Sequence, residues 1–223
     1  MAVARVISRI VLADQVKDRI LEGILNGRYA PDSRIVETQV ARELGTSQAP
    51  VREALRGLEA LGVVEITPFR GARVRRPSKG EILEAYAVRS VLEVLGARMA
   101  VPRMSDADLV ELAGYLDAMR AAARRNDGHA VAEADARFHG RIVELAGNGT
   151  LEKVWGSLQP LSRTYLTLFV PGADPSWTAD LHAPIVDALE RRDTDAVVDA
   201  LGRHFDQVRD NLAGRWPDDE PPE

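Results

Sequence analysis

The segment 37–76, ETQVARELGTSQAPVREALRGLEALGVVEITPFRGARVRR, constrains the fold of this chain more than any other stretch. A short helical pattern closes at Gly45, and a longer one begins at Ser47, a residue type that caps helix N-termini, and continues to Leu61. Two β-prone runs, 63–67 and 72–74, then enclose Pro68-Phe69-Arg70-Gly71, a pattern typical of a hairpin with a basic tip. This order of elements predicts a winged helix-turn-helix domain.

A further helix is predicted ahead of this segment. Apolar residues recur every four positions from Leu12 to Ile24, which gives the helix one buried face, and Gly27 and Pro31 end it. The winged domain is therefore predicted to cover residues 1–76. The cluster Pro77-Ser78-Lys79-Gly80 is predicted to be a linker.

Winged helix-turn-helix domains read DNA with the N-terminal side chains of the third helix, which enters the major groove. Gln48 and Arg52 lie four residues apart near that end, and their side chains suit adenine and guanine respectively. Further arginines are placed to contact phosphates or the minor groove. They are Arg34, Arg56, Arg70, Arg73, Arg75 and Arg76. For any single arginine the alternative is a solvated surface charge, so the prediction depends on the complete order of elements.

The charge distribution supports a DNA-binding head. Residues 1–78 contain 13 Lys and Arg and 9 Asp and Glu, a balance of +4, whereas residues 79–223 contain 16 and 25, a balance of −9. The total of −5 therefore conceals a basic front part and an acidic body. Such an asymmetry is typical of a polyanion-binding domain joined to a second domain of different function.

The front segment resembles the DNA-binding domain of the GntR family of bacterial repressors over about residues 10–76. The resemblance is carried by Pro50-Val51-Arg52-Glu53-Ala54-Leu55, by Leu58-Glu59 and by Arg70-Gly71. It implies operator contacts from Thr38, Ser47, Gln48, Arg52 and the wing glycine Gly71. Gln48 stands where many members of the family carry arginine, which leaves the operator sequence open.

The remainder of the chain is predicted to be all-α, which makes the fold mainly α. Helical patterns cover 80–101, 105–125, 128–146, 149–169, 177–191 and 194–213, with short breaks between them. Helices joined by short loops predict an antiparallel bundle over residues 81–213. The acidic, Pro-rich tail 214–223 is predicted to be disordered.

Three histidines and one carboxylate are predicted to face the interior of this bundle. Asp135 and His139 stack at i and i+4 beside an apolar stripe, and His182 and His204 occupy apolar faces of later helices, whereas His129 is predicted to lie on the surface. One inward histidine is usually a core residue. Three with a carboxylate are costly to bury unless something pairs them, and a divalent metal does so. Zinc suits the set best, and manganese, nickel and iron are alternatives.

The second part of the chain resembles the FCD effector domain of the FadR-like branch of GntR regulators, over about residues 80–213. The matching motifs are Arg89-Ser90-Val91-Leu92-Glu93, Asp135-Ala136-Arg137-Phe138-His139 and Ala146-Gly147-Asn148. FCD domains carry a D-x-x-x-H pair with two later histidines as a metal site, and they bind small organic acids. The resemblance therefore implies a carboxylate effector held by the metal and Arg89, with Asn148 as a further contact. Asn148 is alternatively a plain turn residue.

We therefore predict a metal-containing, effector-responsive transcription regulator. It would act as a homodimer, because two recognition helices are needed on a two-fold operator. The alternative is a metal-dependent hydrolase fused to a DNA-binding domain, which would need a general base. Glu93 is a candidate for that base, although at i+4 from Arg89 it is better suited to an ion pair. Trp155, Tyr165 and Trp177 either line the pocket or fill the core.

The chain has no cysteine, no signal-peptide core and no run of eighteen apolar residues. These features predict a cytoplasmic protein without a membrane partner.

Overall fold

The computed structural model describes residues 2–67, 70–168 and 174–215, and the side chains of 12–67, 70–158 and 174–214. The chain divides into two compact units, Met1–Pro77 and Ser78–Glu223. Among the described residues no helix combines the length and apolar composition that a membrane span needs. The fold is mainly α, as predicted, with a small sheet in the first unit and helices in the second.

The first unit is a winged helix-turn-helix. Its elements are α1 (Ala2–Leu25), β1 (Arg34–Ile35), α2 (Glu37–Glu43), α3 (Gln48–Ala60), β2 (Val64–Thr67) and β3 (Gly71–Val74). Helix α1 packs on α3 and buries Ile20 and Ile24 completely. The turn between α2 and α3 contains Gly45, whose φ of +63° lies in the left-handed region that favours glycine. Ser47 occupies the predicted N-cap position of α3, although its side chain makes no capping hydrogen bond.

The wing sheet has three strands, so the predicted two-stranded hairpin was incomplete. The strand order is β1-β3-β2, with both pairs antiparallel, and Arg34 of β1 lies opposite Arg73 of β3. Strand β1 has two residues, which is too short for any alternation of polar and apolar side chains to be visible in the sequence. Pro68 and Phe69, at the predicted tip, lie outside the described residues.

The second unit consists of helices. They are α4 (Lys79–Ala100), a 3₁₀ turn (Val101–Arg103), α5 (Asp106–Arg124), α6 (Gly128–Leu145), α7 (Gly149–Leu168), α8 (Pro175–Asp180), α9 (Ala183–Glu190) and α10 (Thr194–Arg215). Ser78 and Glu81 form a capping box at the start of α4. This box places Ser78, Lys79 and Gly80, which were predicted as linker, at the first turn of the helix. The irregular connection is residues 75–78.

Two helix boundaries differ from the prediction. The single helix expected over 177–191 is two short helices, α8 and α9, with His182 at the N-cap of α9 and Pro184 in its first turn. Proline lacks an N–H and so fits a helix start better than a helix interior. Helix α10 continues through Gly214 to Arg215, so these two residues of the predicted tail are helical. Residues 216–223 and the predicted break at Pro171-Gly172 lie outside the described residues.

Helix α6 crosses the middle of the second unit and packs against α4, α5 and α7. Phe138 and Ile142 on this helix have no exposed surface. Helix α10 packs against α4 and α9. The polar residues on these inward faces therefore meet inside the unit.

Candidate functional site

The predicted DNA-reading residues of α2 and α3 are exposed. Exposed side chains are found at Thr38 in the first turn of α2 and at Ser47, Gln48 and Arg52 around the N-terminus of α3. Buried residues on the opposite face of α3, among them Leu58, hold the helix on the unit's core. The arrangement leaves a polar helix end that is free to enter a groove.

Arg52 is held by two neighbours on this surface. Its Nε donates to Glu37 Oε2 over 2.8 Å, and its Nη2 lies 3.3 Å from Gln48 Oε1. The Arg52 side chain is 56% exposed and that of Glu37 is 32% exposed, so water competes for this ion pair. The ion pair can therefore break at a modest cost in free energy.

The wing contains the other predicted contacts. Arg34 on β1 and Arg70, which precedes β3, are both exposed. Gly71 has a φ of +84°, and a Cβ atom there would lie 3.3 Å from Arg34 Nε. A side chain at position 71 would thus strain the backbone and displace the Arg34 guanidinium.

In the second unit, three helical segments bring together Asp135, His139, His182 and His204. Asp135 and His139 come from α6, His182 from the junction of α8 and α9, and His204 from α10. All four side chains are buried, with no residue more than 5% exposed. One ligand nitrogen from each histidine lies within 4.8 Å of those of the other two.

The donor atoms of this cluster are close enough to share one cation. His139 Nε2 lies 3.1 Å from His182 Nε2, and Asp135 Oδ1 lies 3.2 Å from His182 Nε2 and 3.7 Å from His139 Nε2. Metal–ligand bonds of about 2.0–2.2 Å put neighbouring donors of a tetrahedral or octahedral ion about 3.0–3.5 Å apart. The spacing of these three atoms is therefore compatible with a metal shell.

The hydrogen bonds on the far side of each ring fix where the protons lie. His139 Nδ1 faces Glu93 Oε2, and His182 Nδ1 lies 2.9 Å from the carbonyl oxygen of Thr178. Both partners are acceptors, so each Nδ1 carries a hydrogen and each Nε2 of a neutral ring presents a lone pair. Two imidazole lone pairs and a carboxylate oxygen then point at one another. Only a cation, a proton on one ring or a metal ion, satisfies all three.

His204 extends the argument to a third ring. Its Nδ1 is buried and has no hydrogen-bond partner among the described residues. Burial, with smaller effects from His182 and His139, lowers the pKa of His204 well below 6.5. The ring is therefore neutral, and a proton shared between His139 and His182 would leave it unsatisfied. A metal ion would use all three rings.

The carboxylates in this region are ionised. Burial raises the pKa of Asp135, but the nearby imidazoles of His139 and His182 and the charge of Arg89 outweigh it, and the pKa falls well below its usual range. Burial likewise opposes ionisation of Glu93, yet the nearby His139 ring, the charge of Arg89 and the hydrogen bonds that Glu93 accepts lower its pKa to about 2. Two negative charges in the interior of the unit thus require cationic partners.

Arg89 supplies one of these partners. Its side chain is 4% exposed, and Nε and Nη2 both donate to Glu93 Oε1, over 3.1 and 2.9 Å. The ion pair expected from their i, i+4 spacing is therefore present. Glu93 also accepts from Trp155 Nε1 over 2.6 Å and from His139. A carboxylate with this many donors is poorly suited to act as a general base.

A small cavity opens beside the cluster. Its volume is about 30 Å³, which is room for about two water molecules. Arg89, Asp135, His139 and His204 contribute its polar lining, and Tyr86, Trp177, Thr178, Phe205, Val208, Asn211 and Leu212 complete the wall. Trp177 therefore lines the cavity, whereas the side chain of Tyr165 lies outside the described residues.

Two other predicted residues lie away from the cavity. Asn148 does not line it; Oδ1 of Asn148 accepts from the backbone N–H groups of Thr150 and Leu151, so the residue caps α7. Trp155 packs with Val143 in a separate apolar cluster and reaches the site through its indole N–H. His129 is exposed on α6.

Several residues of the buried cluster and its cavity were not predicted from the sequence. Contacts between distant helices make Glu93 the partner of His139 and Trp155. Such contacts also place the wall residues Tyr86 and Asn211 at the cavity. The contact of the Thr178 carbonyl with His182 was not predicted either. The one available signal was the i, i+4 spacing of Arg89 and Glu93. It placed both residues on one face of α4 without showing what that face meets.

Comparison with known proteins agrees with this architecture. The family model for bacterial regulatory proteins of the gntR family matches residues 12–74, and that for the FCD domain matches residues 84–207. A "probable D-xylose utilization operon transcriptional repressor" from Paenarthrobacter nicotinovorans is 35% identical over 203 residues, which cover 91% of this chain and 89% of that protein.

Two further similarities are more distant. The gluconate operon transcriptional repressor of Bacillus subtilis (strain 168) is 23% identical over 92% of this chain and 85% of its own length. The crystal structure of a GntR transcriptional regulator from Rhodococcus sp. RHA1 superposes with a TM-score of 0.82 at 24% identity, over 92% of this chain and 99% of that one. The chain thus belongs to the GntR family of bacterial transcription regulators with an FCD domain, a family of DNA-binding regulators and not of enzymes.

Proposed function

We propose that this regulator senses a small carboxylate at a divalent metal held by Asp135, His139, His182 and His204. The observation that carries the proposal is the convergence of two imidazole lone pairs, one carboxylate oxygen and a third buried ring in one place. The nitrogen and oxygen donors suit zinc first, and manganese, nickel and iron next. When bound, the ion would supply a positive charge and open coordination positions for an anionic ligand.

Arg89 is the proposed second anchor of the effector. It lines the same cavity as three of the four candidate ligands, and its guanidinium can bind a carboxylate with paired hydrogen bonds. The gluconate repressor among the relatives is named for an operon of a sugar acid, which supports sugar or other organic acids as the effector class. Asn148 is omitted from this proposal because it caps α7.

The size of the cavity suggests how the effector would signal. Its volume of about 30 Å³ is room for about two water molecules, and a sugar acid is larger than two water molecules. Effector binding would therefore have to change the packing of the wall around Tyr86, Trp177 and Phe205. A ligand shifts DNA affinity only through such a difference between two conformations.

The proposed DNA contacts are those of the exposed helix end and the wing. Gln48 and Arg52 would read bases, while Thr38, Ser47, Arg34 and Arg70 would contact the backbone, with Gly71 allowing close approach.

A homodimer is part of the proposal, with the outer face of α4 as its interface. Val88, Val91 and Leu95 follow one another at i, i+3 and i+7 and are 48%, 69% and 45% exposed. A two-fold operator requires a second copy, and a helix stripe of this kind can pair with itself. Val91→Asp should yield monomers in light scattering, whereas Val110→Asp on α5, which is 73% exposed, should not. A dimer that tolerates Val91→Asp would place the interface elsewhere.

The function is tested by metal analysis followed by ligand titration. Purified protein should contain about one zinc equivalent per chain, and His182→Ala should lose it while His129→Ala keeps it. Gluconate and a panel of related acids should then raise the melting temperature of the zinc form only. An acid that does so should also change operator affinity roughly 5–150-fold, the usual range of coupling. Turnover of a bound acid or indifference of the protein to zinc would contradict the proposal.

A further inference from the structure

We infer that Glu93 is the positioning residue of this site, because one carboxylate holds both the metal ligand His139 and the effector anchor Arg89. The inference rests on the proposed function, since it assigns a role within the same site. Glu93 has no exposed surface, so its partners are protein groups and not bulk water.

The two oxygens of Glu93 are divided between two tasks. Oε2 faces His139 Nδ1, while Oε1 accepts from Arg89 Nε and Nη2 and from Trp155 Nε1. A carboxylate offers about four lone-pair positions and no hydrogen. Three donors therefore compete for the lone pairs of Oε1, while Oε2 faces the His139 ring.

The contact with His139 determines which ring nitrogen can bind a metal. Because Oε2 can only accept, Nδ1 carries the hydrogen and Nε2 keeps its lone pair, on the side of His182 and Asp135. A carboxylate behind a ligand imidazole also raises the basicity of the ligating nitrogen. Glu93 thus fixes the tautomer, the orientation and the donor strength of His139.

The contact with Glu93 uses one side of the Arg89 guanidinium. Nε and Nη2 both bind Glu93, and Nη1 has no hydrogen bond to any described residue. The guanidinium carbon also lies 5.4 Å from the Tyr86 ring centroid and 5.6 Å from that of Phe205, two residues that line the cavity with Arg89. The rings and Glu93 together hold the guanidinium in place beside the cavity, and Nη1, which no described residue engages, is the atom we propose to bind the effector carboxylate.

Glu93→Gln separates this role from simple filling of space. The amide has one acceptor oxygen, which Arg89 and Trp155 would require, so its NH₂ would face His139 Nδ1. That donor would force the hydrogen of a neutral His139 ring onto Nε2 and remove the lone pair from the metal position. We expect zinc affinity to fall about 10–100-fold, the usual effect of losing such a partner.

The experiment measures zinc affinity by competition with a chelator, in wild type, Glu93→Gln and the control Glu84→Gln on the exposed side of α4. Long-range ¹H–¹⁵N NMR of the zinc-loaded wild type should show His139 protonated at Nδ1 and coordinated through Nε2. The metal-free Glu93→Gln protein should show the reversed tautomer, and Glu84→Gln should match wild type in both measurements.

Each outcome has a distinct meaning. Unchanged zinc affinity in a folded Glu93→Gln protein overturns the role of Glu93 and leaves the metal site standing. Coordination of His139 through Nδ1 in wild type overturns it as well, and this measurement requires no variant to fold. A wild type that binds no zinc at all refutes the proposed function itself.

Discussion

Replacing His204 by leucine should stabilise the metal-free protein and abolish its response to metal. In the metal-free protein the Nδ1 atom of His204 is buried without a partner among the described residues, at a site where the side chain is 4% exposed overall. Leucine is of similar volume, has no polar atoms and suits the interior of a helix such as α10. With zinc present, the same substitution removes one of the proposed ligands.

The magnitudes follow from these contacts. An unsatisfied buried polar atom costs about 1–3 kcal/mol, while the lost edge contact with Phe205, at 5.2 Å between ring centroids, costs up to about 1 kcal/mol. The free energy of unfolding of metal-free His204→Leu should thus equal that of wild type or exceed it by up to about 3 kcal/mol. At zinc 100-fold above its dissociation constant, wild type should gain about 2.7 kcal/mol and the variant almost nothing.

The order of the two melting temperatures should therefore reverse when zinc is added. For a chain of this size 1 kcal/mol corresponds to about 2–4 °C, so zinc should raise the wild-type value by about 5–11 °C. Trp155 and Trp177 lie in the described part of the second unit, so their fluorescence reports on its unfolding. His129→Leu is the control on the exposed side of α6. A metal-free His204→Leu protein several degrees less stable than wild type, with no effect of zinc on either, would show that His204 is a core residue.

Three further outcomes are expected. Arg52→Ala should weaken operator binding by about 1–3 kcal/mol in fluorescence anisotropy. Glu37→Gln releases Arg52 from an exposed ion pair, so operator binding should stay equal or become up to about 1 kcal/mol tighter. Equal operator affinity of wild type and Arg52→Ala would contradict the assignment of Arg52 as a base-reading residue. Arg89→Lys keeps a charge beside Glu93 but loses the planar fork, so zinc content should persist while the operator response to an effector acid is lost; a full response would exclude Arg89 as the anchor. The pKa of Glu93 is lowered from 4.5 to about 2, so its contribution to stability is complete above about pH 4.5 and is lost as the pH falls towards 2; acid titration of tryptophan fluorescence should find a shallower loss in Glu93→Gln, and identical curves would count against the buried ion pair.

The sequence predicted those parts of the fold that local patterns encode. The turn at Gly45, the cap position of Ser47 and the long helices of the second unit depend on neighbours within one or two helical turns. Strand β1 exists only because Arg34 and Ile35 pair with β3, some 38 residues away, and no local pattern reports that pairing. Similarly, apolar residues keep helical spacing on both sides of His182, so their pattern does not show that α8 ends and α9 begins there. The start of α9 depends on the position of Pro184 in its first turn.

The residues of the site could be predicted from the sequence, but the contacts between them could not. Periodicity placed Asp135, His139 and His204 on buried faces, and the structure has them buried. It could not show that Glu93 lies behind His139, because the two residues are 46 positions apart on different helices. Asn148 illustrates the reverse case, since a motif that resembles an effector contact serves to cap α7. Contacts between helices therefore decide which of two local interpretations applies.

Helix α4 offers a physical route by which the proposed site could affect the arrangement of two copies on DNA. Arg89 and Glu93 occupy its buried face, and Val88, Val91 and Leu95 lie on the opposite, exposed face. A helix transmits a small displacement from one face to the other because its backbone hydrogen bonds keep it rigid. In the proposed dimer, an acid that draws Arg89 towards the proposed metal would shift α4 against the second copy. Since a coupling of about 1–3 kcal/mol suffices for a 5–150-fold change in operator affinity, the movement need only bias two arrangements of similar free energy.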